Sequence, residues 1–354
     1  MAKTGLNLKT ARGCLRSKQG RTGWAMCVGA GISLPIFPSW HELVHRLIQR
    51  FDDGPEVDEM LGRLSKSFSY DTLIQAVCHR TELTHDEFAS LLSGALYFNL
   101  KSNATAHEWK IIATALTSVS LTSLTERQWG RLLNFFFEKY QSSSALAVAE
   151  ILANSIQRKV PPTAILTFNA EASLYALTNA FLVVNRKHTK RQSVFDLATR
   201  AIANTTSVRI PFYFCHGLLP VPGSATHKLS PATVDKLVFS EAEYLTLANS
   251  SFSWQSTAFL NTAMTRSIVF IGLSFNDPNL RRWLSWVHLN RQNELSGIGV
   301  KTQDISVHYW LRVRPESETE EKWIESSVAH LGVRLVWLDD WTDIRQTLSA
   351  MLCL

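Results

Sequence analysis

Two polar side chains stand directly behind short apolar runs. Asn169 follows Ala164-Ile165-Leu166-Thr167-Phe168, and His216 follows a run that begins at Arg209 and ends at Cys215. An amide both donates and accepts, so Asn169 can hold a water or a sugar hydroxyl. An imidazole with a pKa near neutrality can take a proton from such a group. A third run, Trp24-Ala25-Met26-Cys27-Val28, leads into Gly29-Ala30-Gly31-Ile32-Ser33. Glycine there lets backbone N–H groups approach a phosphate with no Cβ in the way. A fourth, from Ser267 to Ile271, leads into Gly272-Leu273-Ser274-Phe275-Asn276-Asp277. Ser274 can bind a ribose hydroxyl or a phosphate oxygen, whereas Asp277 before Pro278 reads as a helix cap. Taken singly, each of these is more simply a turn residue or a satisfied polar group. Their shared position behind four apolar runs is the functional signal.

A rival pattern lies between Ser33 and Ala164. His41-Glu42-Leu43-Val44-His45 matches H-E-x-x-H, in which two imidazoles one helical turn apart share a zinc ion and the Glu activates water. Against a metalloprotease, Glu42 stands three residues after Ser39, as a capping-box partner does, and no third-ligand motif follows.

The elements that must position these groups follow from periodicity. The short apolar runs suit buried parallel strands. Apolar residues at Trp40, Leu43, Val44, Leu47, Ile48 and Phe51 predict an amphipathic helix opened by Ser39. Residues 56–159 read as helices (57–65, 71–79, 86–96, 106–118 and 125–140) with no convincing strand between them. The α/β pattern resumes with strands at 164–168, 209–215, 267–271, 305–313 and 333–338. Helices are expected at 172–181, from Asp277-Pro278 through Val287, at 317–331 and at 341–351. Strands alternating with helices predict an α/β fold with a mostly parallel sheet covered on both faces. Ligands bind such sheets beyond the carboxyl ends of the strands, where all four polar segments fall.

Composition narrows the class. The chain has 354 residues, 45% of them hydrophobic, which excludes wholesale disorder. No apolar run reaches the length of about 18 residues that crosses a bilayer. The five cysteines form no C-x-x-C pair, which argues against a disulfide framework or a zinc knuckle. The basic first 21 residues lack the apolar centre of a secretory signal, so a soluble, cytoplasmic protein is expected. Net charge is only +6. The one dense basic run outside that segment, 186–191, offers a contact for nucleic acid, but a solvated loop is the plainer reading.

The glycine loop is not a dehydrogenase fingerprint. The third glycine position of G-x-G-x-x-G holds Leu34, and the helix waits until Trp40. Instead, Gly29-Ala30-Gly31-Ile32-Ser33 with Pro38-Ser39-Trp40 resembles the cofactor loop of sirtuin-like proteins. Thr167-Phe168-Asn169-Ala170-Glu171 is similar to the T-x-N-x-D block of that family. Cys215-His216-Gly217 resembles its catalytic His-Gly. Leu237–Tyr244 followed by Ile271–Asp277 resembles the late segment that closes over the adenosine. The four occur in family order. The closest subgroup resembles the sirtuin-like NAD hydrolases of bacterial anti-phage defence.

That resemblance implies a Rossmann-like catalytic domain made of 22–55 and 160–354, with 56–159 as an all-helical insertion and 1–21 as a basic N-terminal segment. It implies NAD+ as substrate and no metal, with Asn169 and His216 catalytic. Gly29, Ala30, Gly31, Ser33, Thr167, Gly272 and Ser274 would bind the nucleotide. It also suggests a homo-oligomer, or a HerA-type hexameric ATPase as partner, with the N-terminal segment and the insertion as contact surfaces. The absence of two C-x-x-C pairs and of G-I-P-D-F-R counts against lysine deacylation. Cleavage of the nicotinamide–ribose bond expels a neutral pyridine, so the carboxylate pair of ordinary glycosidases is not required. The expected activity is therefore NAD+ hydrolysis to nicotinamide and ADP-ribose. The alternatives are a module that senses NAD or a related nucleotide without turnover, and the zinc protease.

Overall fold

The computed structural model describes residues 5–16, 23–52, 54–185, 193–199, 209–223, 237–250, 253–299 and 307–354. The basic run at 186–191 lies outside them, as do residues 1–4 and 17–21 of the N-terminal segment. Seven strands make one sheet: β1 (Trp24–Val28), β2 (Ile165–Thr167), β3 (Phe195–Ala198), β4 (Ile210–Phe214), β5 (Ser267–Ile271), β6 (His308–Val313) and β7 (Val333–Leu338). Their order is β3-β4-β2-β1-β5-β6-β7, and every pairing is parallel.

From β1 the chain moves to β2 and outward on one side, then returns to lay β5 against the other side of β1. The carboxyl ends of β1 and β5 therefore flank the point where strand order reverses, the usual ligand crevice of open α/β sheets. Alternation along the strands feeds two cores. Trp24, Met26 and Val28 face one, and Ala25 and Cys27 face the other. The expected α/β, Rossmann-like arrangement is the one observed.

Helix α1 (Trp40–Gln49) follows the glycine loop, and its start is the anticipated capping box. Ser39 N–H donates to Glu42 Oε2 at 2.7 Å, and Glu42 N–H donates to Ser39 Oγ at 3.3 Å. Then come α2 (Val57–Leu64), α3 (Tyr70–Thr81), α4 (His85–Leu96), α5 (Phe98–Ser102), α6 (Ala106–Thr117), α7 (Glu126–Tyr140) and α8 (Ser144–Gln157). Leu61, Ile74, Leu92, Trp129 and Phe136 from this stretch share one continuous core with Val28 and Phe212 of the sheet. The last of these helices, α8, packs on α9 (Ser173–Val184) and on the C-terminal α14 (Ile344–Leu352). The other face carries α10 (Glu241–Asn249), α11 (Trp254–Thr265), α12 (Pro278–Gly297) and α13 (Glu318–Ala329).

Helices α5, α8, α10 and α11 were not marked individually in the sequence, and three further local features differ from its reading. Strand β3 was not anticipated: it has four residues, and its two middle ones, Asp196 and Leu197, are only half-buried, so neither alternation nor a full apolar run marks it. The closing helix begins as a 3-10 turn at Trp341–Asp343, because Asp340 caps it by accepting from Thr342 N–H at 2.8 Å. Leu6 of the basic N-terminal segment bridges to β7, with its N–H donating to Leu335 O and its carbonyl accepting from Trp337 N–H, both at 2.8 Å. Leu6, Ala11 and Leu15 are buried. No helix among the described residues is long and apolar enough to cross a membrane.

Candidate active site

The loops after β1, β2, β4 and β5 open on a cavity of about 1040 Å³. This is at the upper end of the range of roughly 300–1,000 Å³ usual for small-molecule sites. Gly29, Ala30, Gly31, Ser33, Asn169, His216, Gly272 and Ser274 all line it. Thr167 does not. Its buried hydroxyl accepts from Asn169 N–H at 3.0 Å and so turns the chain that carries the amide.

The three glycines interlock. A Cβ on Gly29 would lie 2.7 Å from Gly272 O, one on Gly31 would lie 2.9 Å from Gly272 Cα, and one on Gly272 would lie 2.5 Å from Ile32 N. Gly272 also has φ +67°. The Gly29 and Gly31 N–H groups donate to Ile271 O and Gly272 O, each at 3.0 Å. The role visible for these glycines is thus close approach of two loops, which forms the cavity floor. The helical stretch braces the same floor, because Ser143 at the start of α8 donates its hydroxyl to Ile32 O at 3.0 Å.

Asn169 is held in one orientation. Its Nδ2 donates to Glu171 Oε1 and to Ser33 Oγ, each at 3.2 Å, and Ser33 Oγ donates to the same Glu171 oxygen at 2.8 Å. A carboxylate accepts only, so the amide must turn its NH2 toward Glu171. This leaves Asn169 Oδ1 buried and without a hydrogen-bond partner. The other Glu171 oxygen accepts from Ser173 N–H at the start of α9. Glu171 thereby ties the loops after β1 and β2 to a helix N-terminus, where negative charge is favoured.

His216 sits where Gly217, with φ +80°, turns the chain away from the sheet. Its ring lies edge-on between Phe168 and Tyr244, with centroids 4.8 and 5.2 Å away. Nδ1 is 3.4 Å from the Tyr244 hydroxyl. Nε2 is 3.8 Å from Asp277 Oδ2. Burial pushes the imidazole down to about 4, and the Asp277 carboxylate opposes that push only in part. At neutral pH the ring is therefore uncharged, with an open acceptor nitrogen, but it is a weaker base than the near-neutral imidazole expected from the sequence.

Asp277 caps α12 as anticipated, its Oδ1 accepting from Asn279 N–H at 2.8 Å and from Leu280 N–H at 3.3 Å. Its second oxygen beside His216 was not foreseen. Phe275 at φ +61° lies two residues before it, held against Trp310 and Phe270 at 4.5 and 5.0 Å. Arg282, one turn into α12, brings a cation to the cavity wall and stacks on Trp286 at 5.3 Å. Tyr244 closes the Leu237–Tyr244 segment singled out in the sequence, although no role for its hydroxyl beside His216 was read there. No motif pointed to Arg282, whose only signal was its helical spacing from Asp277.

The H-E-x-x-H residues are engaged elsewhere. His45 Nε2 meets Asp58 Oδ1 at 2.7 Å, His41 Nδ1 faces the Tyr70 hydroxyl at 3.4 Å, and Glu42 closes the capping box. These contacts tie α1 to α2 and α3. Among the described residues no three His, Cys, Asp or Glu side chains are grouped to hold a metal ion.

The parallel sheet, with its cleft at the switch point walled by an amide, an uncharged imidazole and a glycine-packed floor, is a Rossmann-like arrangement. A family model described as SIR2-like domain matches residues 175–331. This is consistent with a sirtuin-like family, whose SIR2-like domains use NAD+. The matched stretch includes His216 and Gly272–Asp277; the glycine loop and Asn169 precede it. No curated protein matches the chain in sequence.

Proposed function

We propose that the protein is an NAD+ glycohydrolase that cleaves the nicotinamide–ribose bond to give nicotinamide and ADP-ribose. The observation that carries this reading is the convergence of Asn169 and His216 on one cavity, each with a buried polar atom, Oδ1 and Nε2, that has no partner within the protein. Buried polar groups are otherwise almost always paired, so such atoms suit a ligand's hydroxyls. The C1′–N bond breaks with both electrons leaving on the nicotinamide nitrogen. Water adds at C1′, and its proton passes to the uncharged His216. Asn169 Oδ1 accepts a hydrogen bond from a ribose hydroxyl or from that water. Gly29–Ser33 and Gly272–Ser274 bound the space for the dinucleotide, and Arg282 supplies positive charge to its phosphates.

The test is a chromatographic time course of NAD+ with the purified chain. Nicotinamide and ADP-ribose appearing in equal amounts is the expected result. NAD+ bound without turnover would make the protein a sensing module instead. Unregulated NAD+ loss would poison the host cell, so activity requires a gate. By its resemblance to defence hydrolases, we place that gate in assembly, as a homo-oligomer or on a HerA-type hexameric ATPase, with anti-phage NAD+ depletion as the outcome. Light scattering and NAD+ assays of the full chain, alone and with phage-infected extract, test this. A monomer already fully active alone would sink the assembly gate.

A further inference from the structure

Two neighbouring buried atoms lack partners: Nε2 of His216, beyond β4, and Oδ2 of Asp277, at the start of α12. They stand 3.8 Å apart, longer than a hydrogen bond of about 2.7–3.2 Å. One oxygen placed beside both can reach each at hydrogen-bonding distance. The remaining polar atoms of the two side chains are already committed. Asp277 Oδ1 takes the Asn279 and Leu280 N–H groups, and His216 Nδ1 faces the Tyr244 hydroxyl. Phe168 and Tyr244 fix the ring from two sides. The pair is thus held by every atom except the two that face each other.

We propose that Asp277 is a positioning residue which, together with His216 Nε2, holds a single hydroxyl-bearing oxygen in this gap. The role rests on the NAD+ hydrolysis proposed above. A carboxylate can only accept, so the oxygen itself must donate to Oδ2. If it belongs to water, both hydrogens point at protein acceptors and a lone pair remains for C1′. As the new C–O bond forms, the glycosidic electrons leave on nicotinamide and the water proton moves to Nε2. If it belongs to a ribose hydroxyl, its hydrogen goes to Oδ2 while it accepts from Nε2–H, which fixes the sugar. Capping and positioning use different oxygens of one carboxylate, so they can be separated.

Asp277→Asn separates them, because Asn caps a helix as well as Asp does. Asp277→Ser is a second neutral cap, used if the first variant fails to fold. With folding kept near wild type, kcat should fall about 10²-fold, as for loss of a positioned group at the reacting centre. ADP-ribose affinity and KM should stay near wild type if the oxygen is water; if it is a ribose hydroxyl, affinity should weaken and KM rise. Methanol added as a competing acceptor distinguishes the two oxygens. A changed ratio of methyl ADP-ribose to ADP-ribose assigns the gap to the attacking water, and an unchanged ratio alongside the kcat loss assigns it to a ribose hydroxyl. The His216 ring 15N resonances, recorded at neutral pH without nucleotide, give a readout independent of turnover. Removal of the carboxylate should shift them. Unchanged resonances, or wild-type kcat in the folded variant, would overturn the role. Wild-type protein with no turnover would refute hydrolysis and leave the ring spectra to decide the pairing.

Discussion

The hydroxyl of Ser33 donates to Oε1 of Glu171 across 2.8 Å, joining the loop after β1 to the loop after β2. Because Asn169 Nδ2 donates to the same oxygen, one buried carboxylate decides which way the amide points. The geometry of the cavity wall therefore depends on Glu171, which itself lines the cavity.

Glu171→Gln should leave the backbone in place but offer Asn169 an NH2 group where it had an acceptor, so the amide loses its single orientation. A misplacement of this kind costs about 10²-fold in turnover. The lost hydrogen bonds to a charged group should cost about 1.5–3 kcal/mol in stability. NAD+ turnover and urea unfolding of the same preparation measure both, and full activity with an unchanged midpoint would remove Glu171 from the site.

Asn169→Ala and His216→Ala are expected to reduce hydrolysis by roughly 10²–10⁴-fold each, the usual range for a positioned acid–base group. Neither side chain fills the hydrophobic core, so circular dichroism should report a native fold. Near-wild-type turnover in either folded variant would show that the residue takes no part in the chemistry.

How legible was this in the sequence? The Ser39–Glu42 box and the Asp277 cap were readable because both ends of each contact lie within one helical turn. The parallel sheet was readable because its strands are short, apolar and separated by helices. The Ser33–Glu171 bond spans 138 positions, and nothing local to Glu171 announces it. The second oxygen of Asp277 gains meaning only when the sheet sets the end of β4 beside the start of α12. The glycines were legible as a loop, but their interlock at Gly272 was not, since it needs β5 to lie against β1.

That interlock sets the outcome of Gly272→Ala. A methyl group there meets Ile32 N at 2.5 Å and imposes φ +67° on a residue with a side chain. Left-handed strain alone costs about 1–2 kcal/mol, and the backbone clash adds to it. Gly31→Val should fail for the same reason, its Cβ falling 2.9 Å from Gly272 Cα. Thermal unfolding should show a lower midpoint for both, together with weaker nucleotide binding by calorimetry. Wild-type stability with lost binding would instead point to direct occlusion of a phosphate.

The buried imidazoles predict how stability falls in mild acid. Burial holds His216 down to about 4, and burial with the nearby Arg291 holds His308 down to about 3, both below the ordinary 6.5. His308 Nδ1 accepts from Ile268 N–H at 3.2 Å, which also favours the uncharged ring. Between pH 6.5 and about 4 the unfolded chain thus binds protons at these two rings that the native protein refuses, and His288 and His330, also held below 6.5 by burial, add to the difference. Unfolding free energy must fall as pH drops through that window, by about 1.4 kcal/mol per pH unit for each proton. The carboxylates act lower: Glu42, held down by the Ser39 N–H, loses its contribution only as it protonates below its usual 4.5. Urea unfolding between pH 6.5 and 5 isolates the histidines. His216→Ala and His308→Gln should each reduce the pH slope by about 1.4 kcal/mol per unit, whatever they do to stability at pH 7. A slope unchanged in both variants would mean that the native protein protonates these rings as readily as the unfolded chain does, and His216 would then lose its standing as an uncharged base.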